Sequence, residues 1–217
     1  MQKIYIKIKN YIILQKVKNM DFNIEDFKID FNNNEEIKMG RILLSEPFSG
    51  GIFFKRSVVF LTEYKKNGAL GFILNKKTNL KINNILKNFP KIDADVYLGG
   101  PVRADTIHYL HSVGKQIPGS LKIKENIYWG GDFNYLKLLI EVGSISEREI
   151  KFFVGYSGWT KNQLENEVKN NVWAISNISS EEVFKYQDTK KMWTNFVGSL
   201  GSKYKLWTQF PENPNFN

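Results

Sequence analysis

The chain contains no cysteine, two histidines and few arginines, namely Arg41, Arg56, Arg103 and Arg148. Without cysteine there is no disulfide framework, no thiolate metal site and no cysteine nucleophile. A metal would have to be held mainly by carboxylates, and neither a metal nor a cofactor is expected. Scarce arginine weakens the case for nucleic-acid recognition, which favours the bidentate guanidinium fork. No apolar run approaches the roughly 18 residues of a membrane span, so no membrane association is expected. The missing cysteines fit a cytoplasmic setting.

What is present describes a globular protein. The 217 residues are 42% hydrophobic and 24% charged, and that length fits one domain of roughly 100 to 200 residues or slightly more. The net charge of +9 is unevenly spread. Lys3, Lys7, Lys9, Lys16 and Lys18 lie in the first 20 residues with no acid, so the remainder carries only +4. Direct DNA binding is therefore weakly motivated by charge. The opening segment is too short in apolar run, too interrupted by lysine and too poor in small residues for a signal peptide. Residues 1–19 read as a basic surface-binding extension or as a stretch upstream of a true start at Met20. Residues 20–38 read as a poorly ordered lead-in, and 39–217 as one domain.

From Gly40 onward, short strands alternate with turns and inserted helices. Strands are expected at Arg41–Ser45, Ser57–Thr62, Ala69–Asn75, Asp95–Leu98, Thr106–Ser112, Asn126–Trp129, Glu149–Tyr156 and Val172–Ile175. The Ser57 run is apolar enough to be buried on both faces, and Asn67-Gly68 marks a hairpin. Helices are expected over Leu80–Phe89, from Asp132 to Val142, briefly after Ser146, from Thr160 through Lys169, and after Asp188 until Gly201. A hairpin mixed with strand-helix-strand passages argues for an α+β fold with a mixed sheet. No pair of helices joined by a three- or four-residue turn is legible, so the usual DNA-reading motif is not apparent.

The most unusual local chemistry lies in Tyr128-Trp129-Gly130-Gly131-Asp132-Phe133 and Gly155-Tyr156-Ser157-Gly158-Trp159, which read as two glycine-aromatic turns. Gly155-Tyr156-Ser157-Gly158 lacks the Gly-x-Ser-x-Gly spacing of a nucleophile elbow, and both histidines precede the serine. Ser157 therefore reads as a turn serine bonding backbone or ligand. Asp132 caps its own helix, whereas the Thr160 helix start offers N–H groups and a positive dipole end to a small anion. The bland alternative is that both turns are tight connections packed by indoles. His108 and His111, three apart on a strand, face opposite sides and do not form a ligand pair. Gly99-Gly100-Pro101 lacks the lysine of a phosphate-binding loop. Gly130-Gly131-Asp132-Phe133 is one residue short of the diguanylate-cyclase signature. Trp193, Phe196 and Trp207 read as core.

Seven segments taken in order resemble the bacterial YqgE/AlgH family. They are Gly40–Phe48, Lys55–Val59, Gly71–Asn75, Tyr97–Val102, Ile127–Phe133, Phe152–Trp159 and Phe210–Pro214, and together they span about 39–217. The resemblance implies a mixed, largely antiparallel, bifurcated sheet forming a pseudo-barrel flanked by helices. It also implies a label of transcriptional regulator, without an established biochemical activity. Where that family often reads Gly-x-Gly-Gln-Leu after the tryptophan, this chain has Thr160-Lys161-Asn162-Gln163-Leu164, which stiffens the helix entry.

Two functions follow as expectations. One is a regulator acting through a partner or nucleic acid; the other is a small polar-ligand or nucleotide-binding domain, enzymatic or not. The candidate ligand-binding residues are Arg56, Asn75, Gly99, Gly100, Trp129, Tyr156, Ser157, Gly158, Trp159 and Gln163. No catalytic residue is named, and the motifs weigh against an enzyme. A purely structural domain, with the turns filled by their own side chains, is the third reading.

Overall fold

The computed structural model describes residues 35–47, 51–186 and 188–210, which belong to one compact unit, 33–217. The extension 1–19, most of the lead-in 20–38 and Pro211–Pro214 lie outside the described residues. The strands are β1 (Ile42–Ser45), β2 (Val58–Lys65), β3 (Gly68–Ile73), β4 (Lys77–Lys81), β5 (Asp95–Leu98), β6 (Val102–His111), β7 (Leu121–Lys124), β8 (Ile127–Trp129), β9 (Ile150–Thr160) and β10 (Trp173–Ser176). The helices are α1 (Gly51–Phe54), α2 (Ile82–Ile85), α3 (Phe133–Glu141), α4 (Gln163–Lys169), α5 (Ser180–Lys185), α6 (Thr189–Ser199) and α7 (Ser202–Gln209). Among the described residues, no helix is long and apolar enough to cross a membrane.

All ten strands belong to one α+β sheet whose main path runs β10-β1-β2-β3-β9-β6-β8-β7. It branches at β9. The first half of β9 pairs parallel with β5, Val96 opposite Phe152 and Leu98 opposite Val154. Its second half pairs antiparallel with β3, Gly71 opposite Ser157 and Gly68 opposite Thr160. Both partners use the same edge, so β9 serves two arms, one continuing through β2, β1 and β10 and the other through β4. The remaining pairs are antiparallel. The path does not close, yet its end strands approach: Lys124 Nζ at the end of β7 donates to the Ile178 carbonyl just beyond β10, at 2.7 Å.

The fork is stitched by glycine. The Gly99 carbonyl accepts from the Ile73 amide at 3.0 Å and from the Ser157 hydroxyl at 3.0 Å, while the Gly99 amide donates to Val154 at 2.9 Å. A Cβ on Gly99 would lie 2.2 Å from the Gly155 carbonyl oxygen. One on Gly100 would lie 2.3 Å from the Tyr156 carbonyl group. Three backbones meet here with no room for a side chain.

Each arm covers its own core. Leu43, Val59, Leu61, Ile73 and Ile175 pack with Trp159, Trp173 and Leu164 of α4. Ile82, Val96, Tyr109, Ile150 and Phe152 pack with Leu136 and Ile140 of α3. Val58 to Thr62 are fully buried, as their unbroken apolar run predicts. Trp193, Phe196 and Trp207 are buried as expected. Asp132 caps α3, accepting from the Asn134 and Tyr135 amides.

Several expectations are corrected. The segment Tyr156–Trp159 is not a turn but the continuation of β9. Gly155, at φ +65°, acts as an interruption within the strand rather than its end. Leu80–Phe89 is not one helix: β4 precedes a single helical turn. Asparagine side chains account for this. Asn84 Oδ1 accepts from the Lys81 amide, and Asn83 bonds to the Ile92 amide and the Phe89 and Pro90 carbonyls, satisfying backbone groups that a longer helix would have used. The Ser146 and Glu149 bonds form, but they close only a turn before β9. The hairpin is present with Lys66-Asn67 as its loop; Gly68 begins β3 because a Cβ there would lie 2.2 Å from the Trp159 carbonyl oxygen. Beyond Gly201, where a tail was expected, α7 follows α6 directly through Leu200-Gly201, a two-residue link shorter than the three- or four-residue turn of the usual DNA-reading motif.

Gly99→Ala is expected to cost about 3 kcal/mol or more, because its Cβ meets rigid backbone. Gly198→Ala, in α6 with nothing within 4 Å of the added Cβ, should instead gain about 0.5 kcal/mol. Urea unfolding of the two variants checks this; equal midpoints would show that the fork is not the tight point of the fold.

Candidate functional site

The structure separates the sequence-predicted ligand residues into four groups. Gly99, Gly100 and Ser157 are buried in the fork, and the Ser157 hydroxyl is spent on the Gly99 carbonyl. Arg56 and Asn75 meet at the start of β2. Asn75 Oδ1 accepts from the Val58 amide and its Nδ2 donates to the Arg56 carbonyl. The Arg56 guanidinium donates to the Phe210 carbonyl and stands 5.1 Å from the centre of the Trp193 ring.

Trp159 and Gln163 form the third group, around Glu167. One carboxylate oxygen of Glu167 accepts from the indoles of Trp159 at 2.8 Å and Trp173 at 2.7 Å; the other accepts from Gln163 Nε2 at 2.9 Å. Gln163 in turn accepts from the Thr160 amide and hydroxyl. Helix α4 starts at Gln163, its N-cap Asn162 is left-handed at φ 63°, and no side chain caps it.

Trp129, Tyr156 and Gly158 make up the fourth group, beside His108. The His108 ring lies 5.3 Å from Phe72, 5.8 Å from Tyr156 and 6.3 Å from Trp129. Phe153, opposite His108 in register, and Tyr156 share this face although three residues apart. The left-handed Gly155 between them shifts the alternation by one. Burial, reinforced by Arg103, holds the His108 imidazole below its usual pKa. His111 points the other way, stacked on Tyr128 and within hydrogen-bond reach of Ser120 and the Gly130 carbonyl. Burial lowers its pKa as well, against the opposing pull of that carbonyl.

None of these residues lines the cleft with the most unusual electrostatics. That cleft, of about 340 Å³, lies where the β4–β5 arm and the start of β9 face α5 and the entry to α6. Lys151 of β9 lines it and is only 4% exposed. Its ammonium nitrogen donates to the Val183 carbonyl at 3.3 Å and sits 4.0 Å from the centre of the Tyr97 ring. Lys151 has no ion pair among the described residues. The nearby Asp95 is already engaged, with one oxygen 2.6 Å from Lys77 Nζ and the other 2.8 Å from Lys81 Nζ. Burial pushes Asp95 up, but these two ammonium groups outweigh it and hold the carboxyl below its ordinary value. Burial, aided by Asp95, raises the Tyr97 phenol to about 12, so it stays protonated. Burial likewise drives Lys151 down to about 7, with Asp95 resisting and Lys77 assisting. Arg148, Lys185 and Lys77 bring further positive charge to the lining, and Asp93 and Glu147 bring negative charge.

The signal for Lys151 is present in the chain, as one lysine inside the apolar run Ile150-Lys151-Phe152-Phe153-Val154. A larger groove of about 590 Å³ runs between Lys124–Asn126 and Ser176–Glu182. In it Ser179 and Glu182 exchange capping bonds, and Lys124 is tied to the Ile178 carbonyl. Among the described residues, no three His, Asp or Glu side chains gather to hold a metal ion.

Lys151→Met is expected to stabilise the fold by a few kcal/mol at pH 7, because it removes a buried, unpaired amine. The unfolded chain keeps the ordinary lysine pKa of 10.5 and the folded chain about 7. Between those values the unfolded state binds the extra proton, so wild-type stability rises with pH and the gap to the variant closes. Thermal melts from pH 6 to 9.5 measure this, and a gap independent of pH would show that the amine remains charged.

The comparisons with known proteins agree with this architecture. The AlgH-like family matches residues 42–205. A UPF0301 protein of Parabacteroides distasonis is 43% identical over 193 residues, covering 88% of this chain and 96% of that one. A UPF0301 protein of Cytophaga hutchinsonii is 42% identical over 179 residues, covering 82% and 98%. The solution structure of the AlgH protein from Pseudomonas aeruginosa superposes with a TM-score of 0.64 at 24% identity, covering 82% of this chain and 97% of that one. A crystal structure from Corynebacterium diphtheriae gives 0.65 at 16% identity, covering 81% and 94%. By family match, by identity over most of the chain and by fold, the protein belongs to the AlgH-like family.

Proposed function

We propose that this protein binds a small anionic ligand in the Lys151 cleft and acts in the cytoplasm as a ligand-responsive regulator rather than as an enzyme. One observation carries the reading: an enclosed lysine amine, without a carboxylate partner, borders a cleft of about 340 Å³. That volume is in the range of small-molecule sites. A buried charge without a partner costs several kcal/mol. An arriving anion would supply the missing partner and draw a proton onto Lys151, converting that cost into affinity. The regulator label comes from the family resemblance and supports the word regulator only.

The glycine-aromatic residues that share a face, Trp129, Tyr156 and Gly158, offer an alternative wall for a nucleotide base, with His108 between the rings. A second reading, direct nucleic-acid contact, is favoured by the α6-Leu200-Gly201-α7 pair. It carries the exposed Lys190, Lys191, Lys203 and Lys205, a basic surface of the kind that tracks phosphates.

Titrating the protein with carboxylates, phosphates and nucleotides, read by calorimetry, should find a ligand whose affinity falls at least about tenfold in Lys151→Met. Unchanged affinity in that variant would sink the Lys151 seat, and loss in Tyr156→Ala instead would move the ligand to the aromatic face. For nucleic acid, anisotropy with random duplex DNA at several salt concentrations is run on chains starting at Met1 and Met20. Binding by the shorter chain that Lys203→Glu with Lys205→Glu abolishes would establish the second reading; binding confined to the longer chain would assign it to the extension.

A further inference from the structure

Resting on the cleft just described, we propose that its ligand is a small oxo acid whose carbonyl group condenses with the Lys151 amine. The geometry leaves that nitrogen held only by neutral groups, the Val183 carbonyl at 3.3 Å and the Tyr97 ring face at 4.0 Å. Asp95, whose charge bears on Lys151, has both oxygens occupied by Lys77 and Lys81. No carboxylate therefore locks the nitrogen as an ammonium, and its lone pair is available once the proton leaves. Burial makes that easy, since the amine loses its proton near pH 7 where an ordinary lysine holds it to 10.5. Desolvation in an apolar surround is the established way to turn a lysine into a nucleophile.

The step balances without an oxidant or reductant. The nitrogen lone pair adds to the carbonyl carbon, forming the N–C bond, and the carbonyl π pair moves to oxygen. Both amine protons end on that oxygen, which departs as water and leaves a C=N bond to Lys151. The acid end of the ligand faces Arg148 and Lys185 of the same lining. Arg148 makes no ion pair among the described residues, whereas Lys185 is 3.4 Å from Glu181. An acid group on the ligand answers Arg148, which a neutral aldehyde would leave without an ion pair.

The full-length protein is incubated at pH 7 with pyruvate and cyanoborohydride, with lactate as the control that keeps the carboxylate and lacks the carbonyl. The expected result is one reduced adduct per chain, mapped by peptide mass to Lys151. It should form at least about tenfold faster there than at any other lysine and be absent from Lys151→Arg and Lys151→Met. Lactate should give no adduct and should slow the reaction with pyruvate. Mapping on the wild type needs no variant, so a variant that fails to fold leaves the test intact. Labelling spread over exposed lysines, equal in wild type and Lys151→Arg, would overturn the proposal. Lysine-dependent binding of pyruvate and lactate without any adduct would also overturn it while leaving the anion site standing. Neither binding nor adduct would remove both.

Discussion

Two hydrogen bonds converge on the Gly99 carbonyl, one from the Ile73 amide and one from the Ser157 hydroxyl, and the architecture depends on that meeting. A strand has one partner on each edge, so a sheet can branch only where one partner leaves and another takes over. On β9 the change happens between Val154, the last residue opposite β5, and Ser157, the first opposite β3. At such a junction backbone donors and acceptors risk being buried unpaired, each at a cost of about 1–3 kcal/mol. Gly99 removes the risk by offering its carbonyl to the arm that arrives and its amide to the strand it is leaving. Ser157 helps from within β9 itself, its hydroxyl donating to that same carbonyl, so the hydroxyl is structural.

Branching also determines where chemistry can sit. The β5 arm is short and ends in β4, whose residues are mostly exposed, so its outer side is covered by α5 and the entry to α6 rather than by more sheet. The join between that edge arm and the helices is where the cleft lies. Lys151 stands on β9 before the fork, opposite Leu110 of β6 and directly ahead of Phe152–Val154, which β5 pairs on the other edge. That rigid stretch can tolerate an expensive side chain. A buried amine costs several kcal/mol against the 5–15 kcal/mol that typically holds a domain together, and a frayed strand would instead let the lysine out to water.

Much of this was legible beforehand, and the failures share a cause. Periodicity found strands where the apolar runs are long and buried, as at Val58–Thr62, and missed β4 and β7, which alternate too few buried residues to register. Asp132 announced its helix through a local cap. What sequence could not supply was context for glycine. Gly155 and Gly158 look like a turn in isolation, yet one is a left-handed interruption in a strand and the other an extended residue facing Leu70. Only the partner strands decide between those roles. The capping box Ser179-x-x-Glu182 is readable in the sequence and marks the start of α5, whereas α7 is hidden because Gly201 reads as a stop although here it also serves as the next N-cap. The ten candidate ligand residues were grouped by composition, which ignores strand alternation, so Trp159 and Tyr156 were expected together although they face opposite sides.

The contrast between Glu167 and Lys151 shows how structural and functional polarity can be told apart here. Both are ionisable residues beside apolar cores. Glu167 is satisfied: two indoles and an amide donate to its carboxylate, and α4 is pinned to β9 and β10 as a result. Removing it would strand two buried indole donors, so its presence is explained by the fold alone. Lys151 has one long hydrogen bond to a carbonyl and a ring face, and no carboxylate. A methionine of similar length would fill the same space without the desolvation cost. Packing explains the carbon chain of Lys151 but not its nitrogen. Beyond its bond to the Val183 carbonyl, that nitrogen borders the cleft, and under the proposed reading it is this residue rather than the glycine-aromatic motifs that meets a ligand.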